Sequence, residues 1–123
     1  MITGIGIDLE VIERFRKACT DDHFLNLIFT KREIAYCRRK KEPPISFAGK
    51  FCAKEAVIKS CKEKIAMKDI EIRNSPSGKL QVYLRGKGEP SVFCSISHTE
   101  EYALALAIID DTADTHDTAD TQR

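Results

Sequence analysis

Two acidic residues stand where their surroundings read as buried. Asp8 closes the apolar run Gly4-Ile5-Gly6-Ile7, and Glu55 lies among apolar and small residues in Phe51-Cys52-Ala53-Lys54-Glu55-Ala56-Val57-Ile58-Lys59. An isolated carboxylate is costly to bury without a cation or hydrogen-bond donors. The pair therefore points to a hard-metal site, and the lysines around Glu55 point to a metal that meets phosphate. Each residue also has a plainer reading. Asp8 could cap a helix that follows the first strand. Glu55 and Lys59, four residues apart, could form a surface ion pair, but that predicts them on the polar face of their helix. A third group, Ser95-Ile96-Ser97-His98, puts two hydroxyls and an imidazole at a strand end. A nucleophilic serine would need a strained elbow such as G-x-S-x-G, which is absent. Gly4-Ile5-Gly6 does not start a dinucleotide fingerprint either, because Leu9 stands where the third glycine is required.

The elements that must position these residues follow from periodicity. Residues 2–8 alternate small and branched apolar positions and read as a strand. A helix is expected next, with Val11, Ile12, Phe15 and Ala18 inward and Glu10, Glu13, Arg14 and Lys17 outward. A second helical stretch covers 22–29. Thr30-Lys31-Arg32-Glu33 has capping-box spacing, so a third helix starts there and runs through Arg39 until Pro43-Pro44 stops it. Ser46 can cap a longer helix reaching about Lys62. At about 100° per residue, Phe47, Phe51 and Ile58 fall within about 40° of one another. Ala48, Cys52 and Ala56 extend that face, Glu55 and Lys59 fall inside it, and Lys50 and Lys54 lie toward its edge. Beyond the helix, Ile70 and Ile72, then Leu80, Val82 and Leu84, alternate with polar residues about the turn Asn74-Ser75-Pro76-Ser77-Gly78, which makes a hairpin. Residues 92–97 form another strand. Tyr102 to Ile109 alternates large residues with alanines and fits a strand buried on both faces, with a helix left open by the pattern alone. The order implies an α+β fold, an antiparallel sheet packed against a long helix with shorter helices.

At 42% hydrophobic and 32% charged, the 123 residues make one globular domain. No apolar run reaches the roughly 20 residues that span a bilayer, and Met1-Ile2-Thr3-Gly4-Ile5 lacks the regions of a signal peptide. Five scattered cysteines without C-x-x-C spacing read as free thiols of a reducing cytoplasm, and they give no zinc site. The net charge of +1 hides an asymmetry. Residues 110–123 hold five aspartates and one arginine, which leaves 19 basic and 14 acidic residues, about +5, in 1–109. A moderately basic body suits a phosphorylated ligand or an acidic protein partner, and it is too weak a bias for nucleic acid. Residues 1–110 are read as the folded domain. Residues 111–123 hold the repeat Asp111-Thr-Ala-Asp-Thr-His116 and Asp117-Thr-Ala-Asp-Thr-Gln122 and are read as a disordered acidic tail.

Three segments in order, spanning the chain to about Ile109, resemble the holo-[acyl-carrier-protein] synthases, the small 4′-phosphopantetheinyl transferases. They are Gly4-Ile5-Gly6-Ile7-Asp8 with Glu13-Arg14; Phe47-Ala48-Gly49-Lys50-Phe51-Cys52-Ala53-Lys54-Glu55-Ala56 with Lys59; and Ser95-Ile96-Ser97-His98-Thr99 with Glu101-Tyr102-Ala103. The resemblance implies that Asp8 and Glu55 hold a Mg²⁺ ion against the diphosphate of coenzyme A. That agrees with a cation that takes one or two carboxylates plus phosphate and water. It implies transfer of phosphopantetheine to a serine of apo-acyl carrier protein in fatty acid biosynthesis, with release of 3′,5′-ADP. Asp8, Glu55 and Lys59 would be catalytic, and Lys50, Lys54, Lys59, Ser97 and His98 would contact the coenzyme. Arg14, Lys31 and Arg32, with Arg38 and Arg39, would face the acidic carrier. The serine proton could pass to Glu55 or to a metal-bound water. The resemblance also implies a homotrimer with the site at the subunit boundary. Two departures stand out. Lys62-Glu63-Lys64-Ile65-Ala66-Met67 replaces a glycine-containing loop on the pantetheine side, and Thr20-Asp21-Asp22-His23 is acidic where relatives carry basic residues. The competing readings are a Mg²⁺-dependent nuclease, on the acid-plus-lysine constellation, and a non-catalytic module that binds coenzyme A or carrier.

Overall fold

The computed structural model describes residues 1–111; the repeat expected to form an acidic tail lies, apart from Asp111, outside the described residues. Strand β1 (Ile2–Val11) leads into three short helices, α1 (Glu13–Ala18), α2 (Asp22–Ile28) and α3 (Lys31–Arg38). The long helix α4 (Pro43–Ser60) follows, and then strands β2 (Ile70–Asn74), β3 (Leu80–Leu84), β4 (Lys87–Gly88), β5 (Val92–His98) and β6 (Tyr102–Asp110). Two antiparallel sheets result, ordered β1-β6-β5 and β2-β3-β4. The α+β arrangement of a long helix against an antiparallel sheet is the one expected.

Helix α4 lies across β1, β6 and β5, and the sequence makes its seat out of small residues. Ala103, Ala105 and Ala107 of β6 face α4 and are buried. Gly4 and Gly6 of β1 come closer still: a Cβ on Gly6 would lie 2.0 Å from the Ala56 carbonyl oxygen, and one on Gly4 at 2.0 Å from that of Ser60. Only glycine allows this approach, and it brings β1 within reach of every side chain on that edge of α4. Phe29 meets Phe47 edge-on at 5.2 Å, and Phe15 packs on Phe51 at 5.3 Å, which completes the core around the helix.

Four expectations are corrected. Strand β1 runs three residues beyond Asp8, because Leu9, Glu10 and Val11 stay paired with Leu104, Ala103 and Tyr102. Asp8 is therefore mid-strand, and the helix-cap reading falls. The prolines open α4 instead of preceding it, since they occupy its first positions, where no backbone donor is needed. Strand β6 is covered on one face only: Leu104 and Leu106 lie on the face away from α4 and are more than a third exposed. Last, Lys50 and Lys54 sit in the interior, not at the rim of the helix face. The hairpin forms as expected, with Gly78 at φ +92° closing its turn and Ile72 paired with Val82.

Candidate functional site

Pleating sends Gly6, Asp8 and Glu10 to one face of β1, toward α4. The glycine leaves room for Lys59 of α4 to cross over, and its Nζ donates to the Ile7 carbonyl (2.9 Å) and to Asp8 Oδ1 (3.2 Å). Lys59 thus pairs with Asp8 and not with Glu55, so the surface-pair reading falls too. Glu55, one helical turn before Lys59 on α4, is half-buried. Glu10, which the sequence reading had placed outward on a helix, stands beside Asp8 with its side chain 11% exposed. Burial, the neighbouring Asp8 carboxyl and, more weakly, the Glu55 charge push Glu10 up to about 7, against the pull of Arg14. The signal for Glu10 was present in the sequence, because the two-residue alternation that sends Asp8 inward continues through Leu9-Glu10-Val11.

These carboxylates fit a hard divalent cation on one observation in particular. Asp8 Oδ2 is buried without a hydrogen-bond partner, and an anionic oxygen left this way is costly. Three carboxyl groups supply only hard oxygen donors. Among the described residues, no three His, Cys, Asp or Glu side chains converge closely enough to enclose an ion.

The lysines expected at the coenzyme divide. Lys54 is fully buried and pairs with Glu33 at 2.6 Å, while donating to the carbonyls of Ile28 (2.8 Å) and Met67 (3.0 Å). Glu33 also accepts from the amides of Thr30 and Ile72. With its donors consumed in a core knot joining α3, α4 and β2, Lys54 sits as a scaffold residue, away from the open cleft where a coenzyme contact was expected of it. Lys50 is 3% exposed and donates to the Ile72 carbonyl and Asn74 Oδ1, both at 2.7 Å. Burial holds both lysines below the usual lysine range. Lys50 still floors a cleft of about 690 Å³ lined by Tyr36, Ser46, Ser77, Lys79 and His98. The contribution of the hairpin turn to this cleft was missed in the sequence, where the turn reads only as a loop.

Strand pairing fixes the third segment. His98 opposes Ala103, which opposes Glu10 across β6, so His98 shares the α4 face with the carboxylates. Ser97 opposes Leu104 and Leu9 and lies on the other face. Within one chain, therefore, Ser97 and His98 do not join a single site. Of the basic residues, Arg14 is exposed and reaches Glu10 at 3.1 Å. Arg32 lies 3.7 Å from Glu71, and Arg38 is 2.5 Å from Asp22. Lys31 and Arg38 line one side of α3, Arg32 and Arg39 another, so α3 presents two basic edges and not one face.

Comparison with known proteins identifies the fold and the family. Residues 4–107 match the model of the 4′-phosphopantetheinyl transferase superfamily. A holo-[acyl-carrier-protein] synthase of Thermodesulfovibrio yellowstonii is 38% identical over 113 residues, covering 89% of this chain and 99% of the relative. A holo-(acyl-carrier-protein) synthase from Bacillus anthracis, solved in complex with CoA (3′,5′-ADP), superposes with a TM-score of 0.76 at 34% identity, over 89% of this chain and 96% of that one. The Helicobacter pylori enzyme in complex with coenzyme A gives 0.72 at 28% identity, over 86% and 99%. The chain belongs to the 4′-phosphopantetheinyl transferase superfamily, among its holo-[acyl-carrier-protein] synthases. It is an enzyme of that kind, which sets aside the nuclease and the non-catalytic module.

Proposed function

We propose that the chain transfers the 4′-phosphopantetheine arm of coenzyme A to a serine of an apo-acyl carrier protein, releasing 3′,5′-ADP, in a Mg²⁺-dependent step that serves fatty acid synthesis. The observation that carries this reading is the buried Asp8 where α4 crosses β1, its Oδ2 left unpartnered, with Glu10 and Glu55 in its electrostatic neighbourhood. Asp8 and Glu55 would hold the ion. When bound, Mg²⁺ supplies charge neutralisation at the diphosphate and fixes its orientation. Lys59, half-exposed and tethered to the Ile7 carbonyl, adds a positive charge next to Asp8 that can meet a phosphate oxygen. In the transfer, the serine oxygen bonds to the phosphorus that bears pantetheine and its proton passes to a base, Glu55 or water, while the bond from that phosphorus to the bridging oxygen breaks with its electron pair leaving on 3′,5′-ADP. The Lys50 and His98 cleft suits the remote part of the coenzyme, with Lys50 acting as a buried fixed charge instead of a mobile clamp.

The open face of the β1-β6-β5 sheet supports self-association. Ile5, Ile7, Leu9, Leu104 and Leu106 are exposed there, and a contiguous apolar face of this kind marks an interface. A homotrimer closed through it would cover this face, on which Ser97 lies. Arg14 supports docking of an acidic carrier at the same edge. No helix among the described residues is long and apolar enough to cross a membrane, and none of the five cysteines is disulfide-bonded, which fits a cytoplasmic setting. The test is to incubate the protein with coenzyme A, Mg²⁺ and apo-carrier and to weigh the carrier. A phosphopantetheine mass gain abolished by EDTA is expected; an unmodified carrier under these conditions contradicts the reading.

A further inference from the structure

Lys50 is shared by two clefts. Tyr36, Lys50 and Asn74 line the Lys50 and His98 cleft on one side and, on the other, a second cleft of about 470 Å³ between α3 and the β2-β3 hairpin. The charges of this second cleft do not balance. Arg32, Arg39, Arg73 and Lys50 line it against one acidic residue, Glu33, whose charge is already matched by Lys54 at 2.6 Å. Glu71, outside the lining, offsets Arg73 at 2.5 Å and, at 3.7 Å, Arg32. Arg39 makes no ion pair or side-chain hydrogen bond among the described residues. Lys50 is 3% exposed and bonds only neutral acceptors, the Ile72 carbonyl and Asn74 Oδ1. A buried cation with no carboxylate against it is costly, and an anion in the cleft relieves that cost.

The lining also selects the anion. Guanidinium groups present planar forks that match phosphate oxygens. Arg73 lies over the Tyr83 ring, 3.6 Å from its centre, and its Nε is held by Glu71, so it loses little freedom when a ligand arrives. Beyond the cations, Ser75 and Gln81 add a hydroxyl and an amide, which suit the hydroxyls of a small polar body. We propose that the cleft between α3 and the hairpin is a second anion site, which takes a small phosphate monoester of the sugar phosphate kind and opposes coenzyme bound on the far side of Lys50. Both anions draw on one buried ammonium, so each weakens the other by the same factor. This is a coupling between two filled sites, not competition, and it therefore saturates. The coupling rests on the coenzyme reading of the first cleft; the ester site does not.

The experiment is calorimetric titration of the full chain with ribose 5-phosphate, with ribose as the blank. The ester should bind and ribose should not. Arg39→Gln should weaken the ester about tenfold, as loss of a charge-assisted hydrogen bond does. Gln81→Glu, which sets a carboxylate in the lining, should weaken it at least as much. Lys79→Gln should bind the ester as wild type does, because Lys79 lines the first cleft and not the second. With Mg²⁺ and saturating coenzyme A the ester should still bind, weaker by a fixed factor of about five or more. No binding at millimolar ester, or binding indifferent to Arg39→Gln and Gln81→Glu, would overturn the proposal. So would loss of the ester in Lys79→Gln, or an ester affinity that falls without limit as coenzyme A is raised, since either puts the ester in the coenzyme cleft. Ester affinity unchanged by bound coenzyme A would overturn the coupling. Failure of coenzyme A itself to bind would sink the coenzyme reading, and the ester titrations would still decide the second site.

Discussion

Burial sorts the ionisable residues into those that build the molecule and those that can act. Lys54 and Glu33 share a charge in the interior and have every donor spoken for. Asp8 is almost as enclosed yet keeps an oxygen with no partner, and that asymmetry separates a scaffold pair from a site. The sequence could reveal that Glu55 is anomalous, since a lone acid on an apolar face has no local partner. It could not say which of Lys50, Lys54 and Lys59 points outward, because the partners that bury the first two are set by tertiary structure; Glu33 is a helix away from Lys54. The thiols give a test at this scale. Burial raises Cys37 to about 12 and Cys94 to about 11, and raises Cys52 as well. Reactivity follows the thiolate, so iodoacetamide at pH 8 should spare Cys37, Cys52 and Cys94 in the native protein. Half-exposed Cys19 should be alkylated first, and all five should react in urea. Rapid native labelling of Cys37 or Cys52, read by peptide mass, would contradict the packing around α4.

At the scale of elements, the close crossing of β1 and α4 is the device that makes the site. Gly6→Ala would place a methyl 2.0 Å from the Ala56 carbonyl oxygen, so the strand must move. Overpacking of this kind costs about 1–3 kcal/mol, and Asp8 and Lys59 would separate with it. Urea unfolding should show the loss of stability, and a Gly6→Ala protein as stable as wild type would rule out direct contact of strand and helix. The β2-β3 hairpin is held differently. Burial alone would raise Glu71, but the Thr30 hydroxyl and Arg73, each at 2.5 Å, outweigh it and hold its carboxyl below the usual range. A depressed carboxylate stabilises the fold at and above the ordinary glutamate pKa and loses that contribution as pH falls through the lowered value. Glu71→Gln should therefore be less stable at pH 7 and show a flatter decline than wild type below pH 5, measured by thermal unfolding. Identical pH profiles would count against the contacts. The hairpin and the capping box at Thr30 were legible because both are local patterns. The end of β1 was not, since Leu9-Glu10-Val11 fits a strand or a helix turn until pairing with β6 decides.

At the scale of the whole molecule, the β1-β6-β5 sheet is covered on one side only. In β6, alanines face the helix and leucines face away, so a pattern that reads as a strand buried on both sides is completed here by one helix and an unfilled apolar face. If copies of the chain cover that face, Leu104→Glu should dissociate the assembly while leaving helix α4 seated. Light scattering after gel filtration would then read a monomer of native circular dichroism. Wild type eluting as a monomer at micromolar concentration would remove the interface.

The central claim is that Asp8 and Glu55 form the metal-bearing heart of a phosphopantetheine transfer. Its most direct measurement is the intact mass of apo-carrier after incubation with coenzyme A, Mg²⁺ and either wild type, Asp8→Asn or Glu55→Gln, with folding checked by circular dichroism. Each substitution removes an anionic oxygen with little change in volume, and losing one ligand should cost several kcal/mol of transition-state stabilisation. Wild type should convert the carrier to the phosphopantetheinylated mass, and both variants should leave it unmodified over the same interval. Folded variants that load the carrier at wild-type rates under limiting Mg²⁺ would contradict the claim.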